Sequence, residues 1–185
     1  MAFINPGGTG VIAFSDYEDV VKRDQRLFEA NEFTVPAEFT NLADMIESYT
    51  ERATTKILYF VKDTDWWKSY YLNQSGSTLA ALNVYQTLTG VIDVPVPDAN
   101  KFIGRQQDWT DLCVYITFYE YVLPLVADFS KEDNAEYKKI GFYKDKFNTL
   151  FAQLIAAGDW YDWSGSGVVT NDEKSPTVVN LVRKR

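Results

Sequence analysis

The clearest hydrophobic periodicity lies late in the chain, where apolar and aromatic side chains recur at intervals of three and four residues. These positions are Ile140, Tyr143, Phe147, Leu150 and Leu154. This spacing places them on one face of an α-helix, and the polar residues between them leave the opposite face for water or a polar partner. Gly158 follows the last apolar position, where a residue with positive φ ends a helix. The pattern predicts a helix over residues 137–154.

An earlier stretch shows the same period over about five turns. Its apolar face consists of Leu42, Ile46, Tyr49, Ala53, Ile57 and Phe60. We expect this helix to open at Pro36 and Thr40 and to end near Asp63. A shorter helix precedes it, because Ser15 and Glu18 form a capping-box pattern that predicts a helix through Ala30.

A third periodic stretch precedes the late helix. Its apolar side consists of Trp109, Leu112, Cys113, Ile116, Tyr119 and Leu123. Asp108 is the predicted N-cap. Pro124 removes a backbone donor and crowds the carbonyl of Glu120, so it predicts a kink or an early end. Ser130, with Asp133 three residues on, is the predicted cap of the final helix.

The segments between the helices are less regular. Residues 65–73 are strongly aromatic, and two interpretations stay open: an internal packing element that turns the chain, or part of a subunit interface. Residues 74–77 predict a turn and residues 79–88 a short helix. Pro95 and Pro97 exclude a helix over residues 89–105, which we expect to form a long surface loop.

The end of the chain alternates in a way that is typical of a β-strand, through Val178, Val179, Asn180, Leu181 and Val182. A lone strand needs a sheet edge, and since the rest of the chain offers little sheet, we expect that edge on another molecule. The predicted fold class is mainly α, a bundle of about four to five helices with a long loop and a C-terminal β-strand tail. We divide it into an N-terminal arm and short helix (1–35), a helical domain (36–163) and a C-terminal extension (164–185).

Composition adds two expectations. Twelve Phe, twelve Tyr and five Trp are more large rings than a core of this size hides, so we expect some at contacts between chains. The net charge is −8, and residues 174–185 hold Lys174, Arg183, Lys184 and Arg185 without an acid. Removing that +4 leaves −12 on residues 1–173. An acidic body does not favour general binding to nucleic-acid phosphates. The basic tip suits salt bridges at the rim of a protein interface.

Several kinds of chemistry are excluded. The chain has no histidine, which excludes Ser-His-Asp and Cys-His nucleophiles and histidine metal sites. Cys113 is the single cysteine, and we expect it to be a buried thiol that fills the core. No phosphate-binding glycine motif occurs, and the paired carboxylates are typical of solvated helix ends. No secretory leader or membrane-spanning stretch occurs, which predicts assembly in a cytosol. We expect neither an enzyme nor a bound cofactor.

One segment has the spacing of an EF-hand calcium loop. Its oxygen-bearing residues are Asp162, Ser164, Ser166, Thr170 and Glu173, at positions 1, 3, 5, 9 and 12, with Gly167 at position 6. Neutral serines at positions 3 and 5 weaken this match, and Pro176 stands where the exiting helix of an EF-hand should run. A simple Ser-Gly turn is the preferred interpretation, and a metal site at these five residues is the alternative.

The helix order, the Asp-Trp-Tyr-Asp-Trp-Ser-Gly-Ser-Gly exit over residues 159–167 and the Val-Arg-Lys-Arg end together resemble the head-to-tail connector (adaptor) proteins of tailed bacteriophages. The resemblance covers residues 37–185. It implies a homo-oligomeric, dodecameric ring in the neck of the virion, assembled in the host cytoplasm. The ring would dock beneath the portal protein and receive a downstream neck or tail protein at its other end.

The resemblance also implies a role for the tail of the chain. Residues Val178, Val179, Asn180, Leu181, Val182, Arg183, Lys184 and Arg185 would bind the portal. DNA would pass through the channel without specific binding, because acidic walls repel phosphates. Other neck roles, head completion or tail termination, are alternatives within the same class. A small calcium-binding interaction module is the alternative from another class.

Overall fold

The computed structural model describes residues 12–30, 33–75, 94–131 and 134–174, and within them the chain is mainly helical, as the periodicity predicts. The α-helices are α1 (Tyr17–Arg23), α2 (Gln25–Ala30), α3 (Leu42–Asp63), α4 (Asp65–Ser75), α5 (Gln106–Thr117), α6 (Leu123–Val126) and α7 (Ala135–Ala157). A 3₁₀ turn covers Ala99–Lys101, and a π-helical segment, Phe118–Val122, joins α5 to α6. The predicted strand over residues 178–182 and the predicted helix over residues 79–88 lie outside the described residues.

Helix α5 is the centre of the bundle. It packs against both α7 and α3, and α1 packs against both α3 and α5. The core has two clusters along this axis. One cluster includes Trp109, Leu112 and Ile116 of α5, Ile57 of α3 and Leu154 of α7. The other includes Val20, Met45, Val114, Phe118 and Tyr143. The predicted apolar faces of the three long helices therefore meet in one interior.

Phe14, which precedes α1, is fastened to this interior. The Phe14 N–H donates to Thr54 Oγ1 at 3.0 Å, and the Thr110 hydroxyl donates to the Phe14 carbonyl at 2.7 Å. Residue 14 is thus held between α3 and α5. Cys113 is buried as predicted, with its sulfur 3.4 Å from Thr54 Oγ1, and burial raises the pKa of its thiol.

The predicted N-terminal cap is wrong by one residue. Asp16, not Ser15, caps α1: its carboxylate accepts the Asp19 N–H at 2.8 Å, and the Asp19 carboxylate accepts the Asp16 N–H at 3.4 Å. The Ser15 side chain is buried instead. The single helix predicted through Ala30 is also interrupted, because Asp24 leaves helical geometry between α1 and α2.

Three further helix starts differ from the prediction. Helix α3 begins after Asn41, whose side chain accepts the Asp44 N–H at 2.9 Å, rather than at Pro36 or Thr40. Helix α5 begins after Arg105, which has a positive φ of 55°, so Asp108 lies inside the first turn. Helix α7 is capped by Asn134.

The predicted cap of α7 has another partner. The Ser130 hydroxyl donates to Asp128 Oδ1 at 2.6 Å, and so does the Ser130 N–H at 3.0 Å. Asn134 caps α7 in its place, and its side chain accepts the Tyr137 N–H at 2.8 Å. In both turns, a side-chain oxygen accepts a hydrogen bond from a backbone N–H group two or three residues further along the chain.

Pro124 and Gly158 both lie where a helix departs from regular α-helical geometry. The sequence predicts a kink or an early end at Pro124, and there the Leu123 N–H bonds to the Phe118 carbonyl, five residues back, in the π-helical segment. This wider turn adapts the helix to the missing proline donor. Gly158 ends α7 with a positive φ of 61°, as predicted.

The aromatic stretch and the proline-rich loop both pack inward. Residues 65–73 belong to α4, which continues through Gln74 and Ser75, so the predicted turn does not begin at residue 74. Of the predicted surface loop, Val94 and Phe102 are buried and the part over residues 99–101 is a 3₁₀ turn. The loop is therefore partly a core element.

Candidate functional site

The candidate site is the segment that leaves α7, residues 158–174, which we name the exit segment. Its first residue, Gly158, has a positive φ of 61°, and a Cβ there would lie 2.9 Å from Nε1 of Trp66. Both the backbone angle and the indole above it require glycine. The chain therefore turns sharply beneath α4 and enters the aromatic part of the core.

Trp160 and Tyr161 anchor the exit segment. The Trp160 ring lies 4.6 Å from Trp66, 4.9 Å from Phe102 and 4.8 Å from Trp109, measured between ring centroids. Its indole N–H donates to the Leu154 carbonyl at 2.8 Å, so the polar atom of this buried ring is satisfied. The Tyr161 ring lies 4.8 Å from Trp67, in an edge-on arrangement.

Residues 101–104 pair with the exit segment through their backbones. Phe102 and Tyr161 form an isolated antiparallel β-bridge. The Gly104 N–H donates to the Trp160 carbonyl at 3.1 Å, and the Asp162 N–H donates to the Lys101 carbonyl at 2.8 Å. On the Arg105 side chain, Nε lies 2.7 Å from Asp159 Oδ1. These bonds fix the exit segment to residues 101–105.

Asp162 organises the first half of the loop that follows. This residue is 2% exposed. Oδ1 accepts the Gly165 N–H at 2.8 Å and the Ser166 N–H at 3.2 Å, and Oδ2 accepts the Gly167 N–H at 2.7 Å. The positive φ values of Gly165 and Gly167, 73° and 83°, turn these N–H groups inward.

Glu173 closes the loop from its other end. It is 5% exposed, and its Oε1 accepts the Ser164 N–H at 2.7 Å. Its Oε2 accepts both the N–H and the hydroxyl of Thr170 at 2.9 Å. We name residues 162–173 the carboxylate-closed loop, because two buried acids satisfy its backbone.

These hydrogen bonds decide the charge state of the two acids. Burial acts to raise the pKa of Asp162, but the bonds donated by Gly167, Ser164, Ser166 and Gly165 outweigh it, and the pKa is lowered. Burial likewise opposes the bonds from Thr170 and Ser164 at Glu173, whose pKa is also lowered. Both carboxylates are therefore ionised at neutral pH.

The structure brings together most of the residues of the predicted calcium loop, but their oxygens have internal partners. The Ser164 hydroxyl donates to Asp162 Oδ1 at 3.1 Å, and the Ser166 hydroxyl donates to the Val168 carbonyl at 3.0 Å. Among the described residues, no group of three or more His, Cys, Asp or Glu side chains is placed to hold a metal ion. The serines and glycines of residues 164–167 are therefore bonded within the loop itself.

The exit segment leads directly to the predicted partner-binding residues, 178–185, which lie outside the described residues. The last described residue is Lys174, whose N–H lies within hydrogen-bond distance of the carbonyls of Thr170 (3.2 Å) and Asn171 (3.3 Å). The point from which the tail starts is therefore fixed to the body by the carboxylate-closed loop and the aromatic anchor.

Sequence reasoning missed one feature of this region. It left the role of α4 open, whereas Trp67 and Tyr70 are buried against the exit segment. The unusual density of rings in residues 65–73 and 159–163 is the signal that these two segments belong together. The surplus rings do appear outside the core: the exposed aromatic side chains include Tyr59, Phe129, Tyr137 and Phe142.

No helix in the described parts of the chain is long and apolar enough to cross a lipid bilayer. Comparison with protein-family models, with curated proteins and with solved structures finds no significant match to this chain. The function is therefore argued from the exit segment, the charge distribution and the exposed surfaces.

Proposed function

We propose that this chain is a structural adaptor (connector) protein in the neck of a tailed-phage virion. Copies of it form a ring beneath the portal, bind the portal through residues 178–185 and present their other end to the next neck or tail protein. The adaptor acts through assembly contacts rather than through a reaction.

The observation that carries this proposal is the fixed start of the C-terminal tail. Trp160 is buried among Trp66, Phe102 and Trp109, and Asp162 and Glu173 close the loop that follows. A preorganised base lowers the entropy lost when a tail binds a partner. This arrangement suits a segment that reaches away from its own domain.

The helical body offers the predicted C-terminal strand no sheet edge among the described residues. The alternating residues Val178 to Val182 have the pattern of a strand, while the described part of the chain is mainly helical, with Phe102 and Tyr161 forming an isolated β-bridge. Strand addition to a sheet of another protein would satisfy their backbone groups. The portal is the partner that the proposal assigns.

The charge of the chain supports the channel part of the proposal. With −12 on residues 1–173, a ring of copies would carry a large negative charge around its centre. Phosphate groups are repelled by such a surface, so DNA would slide through without adhering.

The test is a Val179→Pro variant, compared with Val179→Ile, in the phage that carries this chain. Proline removes the strand donor at residue 179, whereas isoleucine keeps it and the β-propensity. The proposal predicts that Val179→Pro yields filled heads without tails, seen by electron microscopy, and that Val179→Ile yields complete particles. Mass spectrometry of purified particles should find the chain only with Val179→Ile.

Two outcomes would overturn the proposal. One is normal tailed particles in a phage that lacks the chain altogether. The other is immunogold labelling of native particles that places the chain away from the neck.

A further inference from the structure

The outer face of α7 carries an exposed aromatic ring and a glycine that no contact within the described chain requires. It consists of Lys138, Gly141, Phe142, Asp145 and Lys146, all exposed, and it faces away from α5. Phe142 is 55% exposed, and Lys146 lies over its ring at 5.5 Å. An exposed aromatic with a cation on its ring is a typical anchor of a protein interface.

Gly141 gives independent evidence for this face. It lies in the interior of a helix, where glycine is less favourable than alanine. A Cβ at residue 141 would meet no atom within 4 Å, so no contact in the described chain requires glycine there. A glycine on an exposed helix face allows another backbone to approach closely.

The charges of this face contrast with those of the chain as a whole. Residues 138–146 hold four lysines and one aspartate, within a chain of net charge −8. Lys139 is already paired with Asp24 at 2.6 Å, and the others include the exposed Lys144 and Lys146. A partner for this face should therefore present acids.

Such a surface exists on the same chain. Residues 42–51 of α3 contain Asp44, Glu47 and Glu51 and no lysine or arginine. Asp16 lies near enough to act on Glu47: burial raises the Glu47 pKa most, followed by the charges of Asp44, Asp16 and Glu51. We name these four residues the acidic edge.

The two surfaces border the same part of the core, on two different helices. Helices α3 and α7 both pack against α5, and Phe60 of α3 also touches Phe147 of α7, with ring centroids 5.8 Å apart. Met45 and Ile46, next to the acidic edge, belong to the same core cluster as Ile140 and Tyr143, next to the outer face of α7. Both surfaces therefore border one core cluster from the outside.

We propose that the outer face of α7 binds the acidic edge of a second copy of this chain, which makes a head-to-tail lateral contact. Gly141 lets α3 of the neighbour approach, Phe142 packs between the helices, and Lys138 and Lys146 meet the acids. Contacts of this heterologous kind close into rings when the rotation between copies permits. The inference deepens the proposed function, because it assigns the ring contact.

The test is sedimentation velocity of the full-length chain from micromolar to millimolar concentration. The wild type should self-associate, and the association should weaken with added salt. Lys138→Glu with Lys146→Glu, and separately Glu47→Lys with Glu51→Lys, should each weaken association at least about tenfold. All four substitutions in one chain reverse both charges and should restore association.

Two substitutions test the apolar part of the contact. Gly141→Leu fills the open space over α7 and should abolish association while circular dichroism shows a folded chain. Phe142→Asp should do the same. The matched control is Val168→Asp, since Val168 is 65% exposed in the carboxylate-closed loop, outside both α3 and α7. It should leave association unchanged.

The proposal is overturned if the wild type stays monomeric throughout this range, or if reversal of Glu47 and Glu51 has no effect. These outcomes are distinct from failure of the proposed function. Self-association with this mutational pattern, in a chain that is absent from phage necks, would sustain the contact and reject the adaptor.

Discussion

Gly104 lies directly against the backbone of Trp160. Its N–H donates to the Trp160 carbonyl at 3.1 Å, and a Cβ at residue 104 would lie 2.8 Å from the Trp160 Cα and 2.4 Å from the Asp159 carbonyl oxygen. Both of these neighbours are backbone atoms, which cannot rotate away as a side chain can. The close approach holds the exit segment in the core.

We therefore predict that Gly104→Ala destabilises the chain by about 1–3 kcal/mol, as overpacking does. The matched control is Gly141→Ala, which enters open space in a helix and should stabilise the chain by about 0.5–1 kcal/mol. Urea unfolding followed by circular dichroism measures both. If the two variants had equal stability, the tight contact at residue 104 would not exist.

Trp160 is the residue on which the aromatic anchor depends. Trp160→Phe removes the indole donor to the Leu154 carbonyl and leaves a small cavity among Trp66, Phe102 and Trp109. We expect a loss of about 2–4 kcal/mol in the free energy of unfolding.

Trp163→Phe is the matched control for that experiment, because Trp163 packs only at the edge of the same cluster and is partly exposed. Its loss should stay below about 1 kcal/mol. Thermal unfolding monitored by the remaining tryptophan fluorescence would show the difference. Equal losses at residues 160 and 163 would contradict the assignment of Trp160 as the anchor.

The periodic helices follow closely from the sequence, whereas their starts and the exit segment do not. The face of α7 from Ile140 to Leu154 and its end at Gly158 depend on residues that are neighbours along one helix, so local spacing predicts them. A start is harder to predict because several polar residues compete: Asp16 instead of Ser15, and Asn134 instead of Ser130.

The candidate site is harder to predict than the helices, because the residues that contact each other there are far apart in the sequence. The bridge between Phe102 and Tyr161 joins residues that are nearly 60 apart, and no local pattern announces it. The spacing of Asp162 and Glu173 is visible in the sequence. Their partners are backbone N–H groups, which every residue except proline has, so only the folded loop reveals what the two acids do.

Neutralising either acid should open the carboxylate-closed loop. Asp162→Asn replaces an acceptor of several N–H groups by an amide with half the acceptor capacity, and Glu173→Gln does the same at the other end. We expect each variant to lose about 1–3 kcal/mol and to be cleaved faster within residues 164–171 in limited proteolysis. Asp172→Asn, at an exposed neighbouring position, should behave like the wild type.

Acid should open the same loop. Burial opposes ionisation of Asp162 and Glu173, but the hydrogen bonds prevail and their folded pKa values lie below the unfolded ones. Their stabilisation is complete at neutral pH, well above unfolded values of about 4. It is lost as the pH falls through the lower folded values. Hydrogen exchange at the Gly165 and Gly167 amides, corrected for its intrinsic pH dependence, should show protection that decreases below about pH 4.

Two other carboxyl groups change the stability of the chain with pH in the opposite direction, so their contribution must be separated from that of Asp162 and Glu173. Burial first, then Asp16, raises the pKa of Asp19, and burial and Asp44 raise that of Glu47, so the folded state binds these protons more readily as the pH falls. Comparison with the double variant Asp162→Asn, Glu173→Gln cancels their contribution. The difference in unfolding free energy between wild type and double variant should shrink towards acid pH. A difference that is constant with pH would reject the role of the two carboxylates.

Calcium gives the last prediction, since the same loop has EF-hand spacing. All four carboxylate oxygens of Asp162 and Glu173 accept N–H or hydroxyl donors from within the loop, so a cation would have to displace these donors. Two charged ligands with neutral serines between them provide little affinity in return. We expect millimolar Ca²⁺ to leave the thermal midpoint unchanged within about 1 °C, and Mg²⁺ to match it. A rise of several degrees that is specific to Ca²⁺ and absent in Asp162→Ala would instead identify the loop as a calcium site.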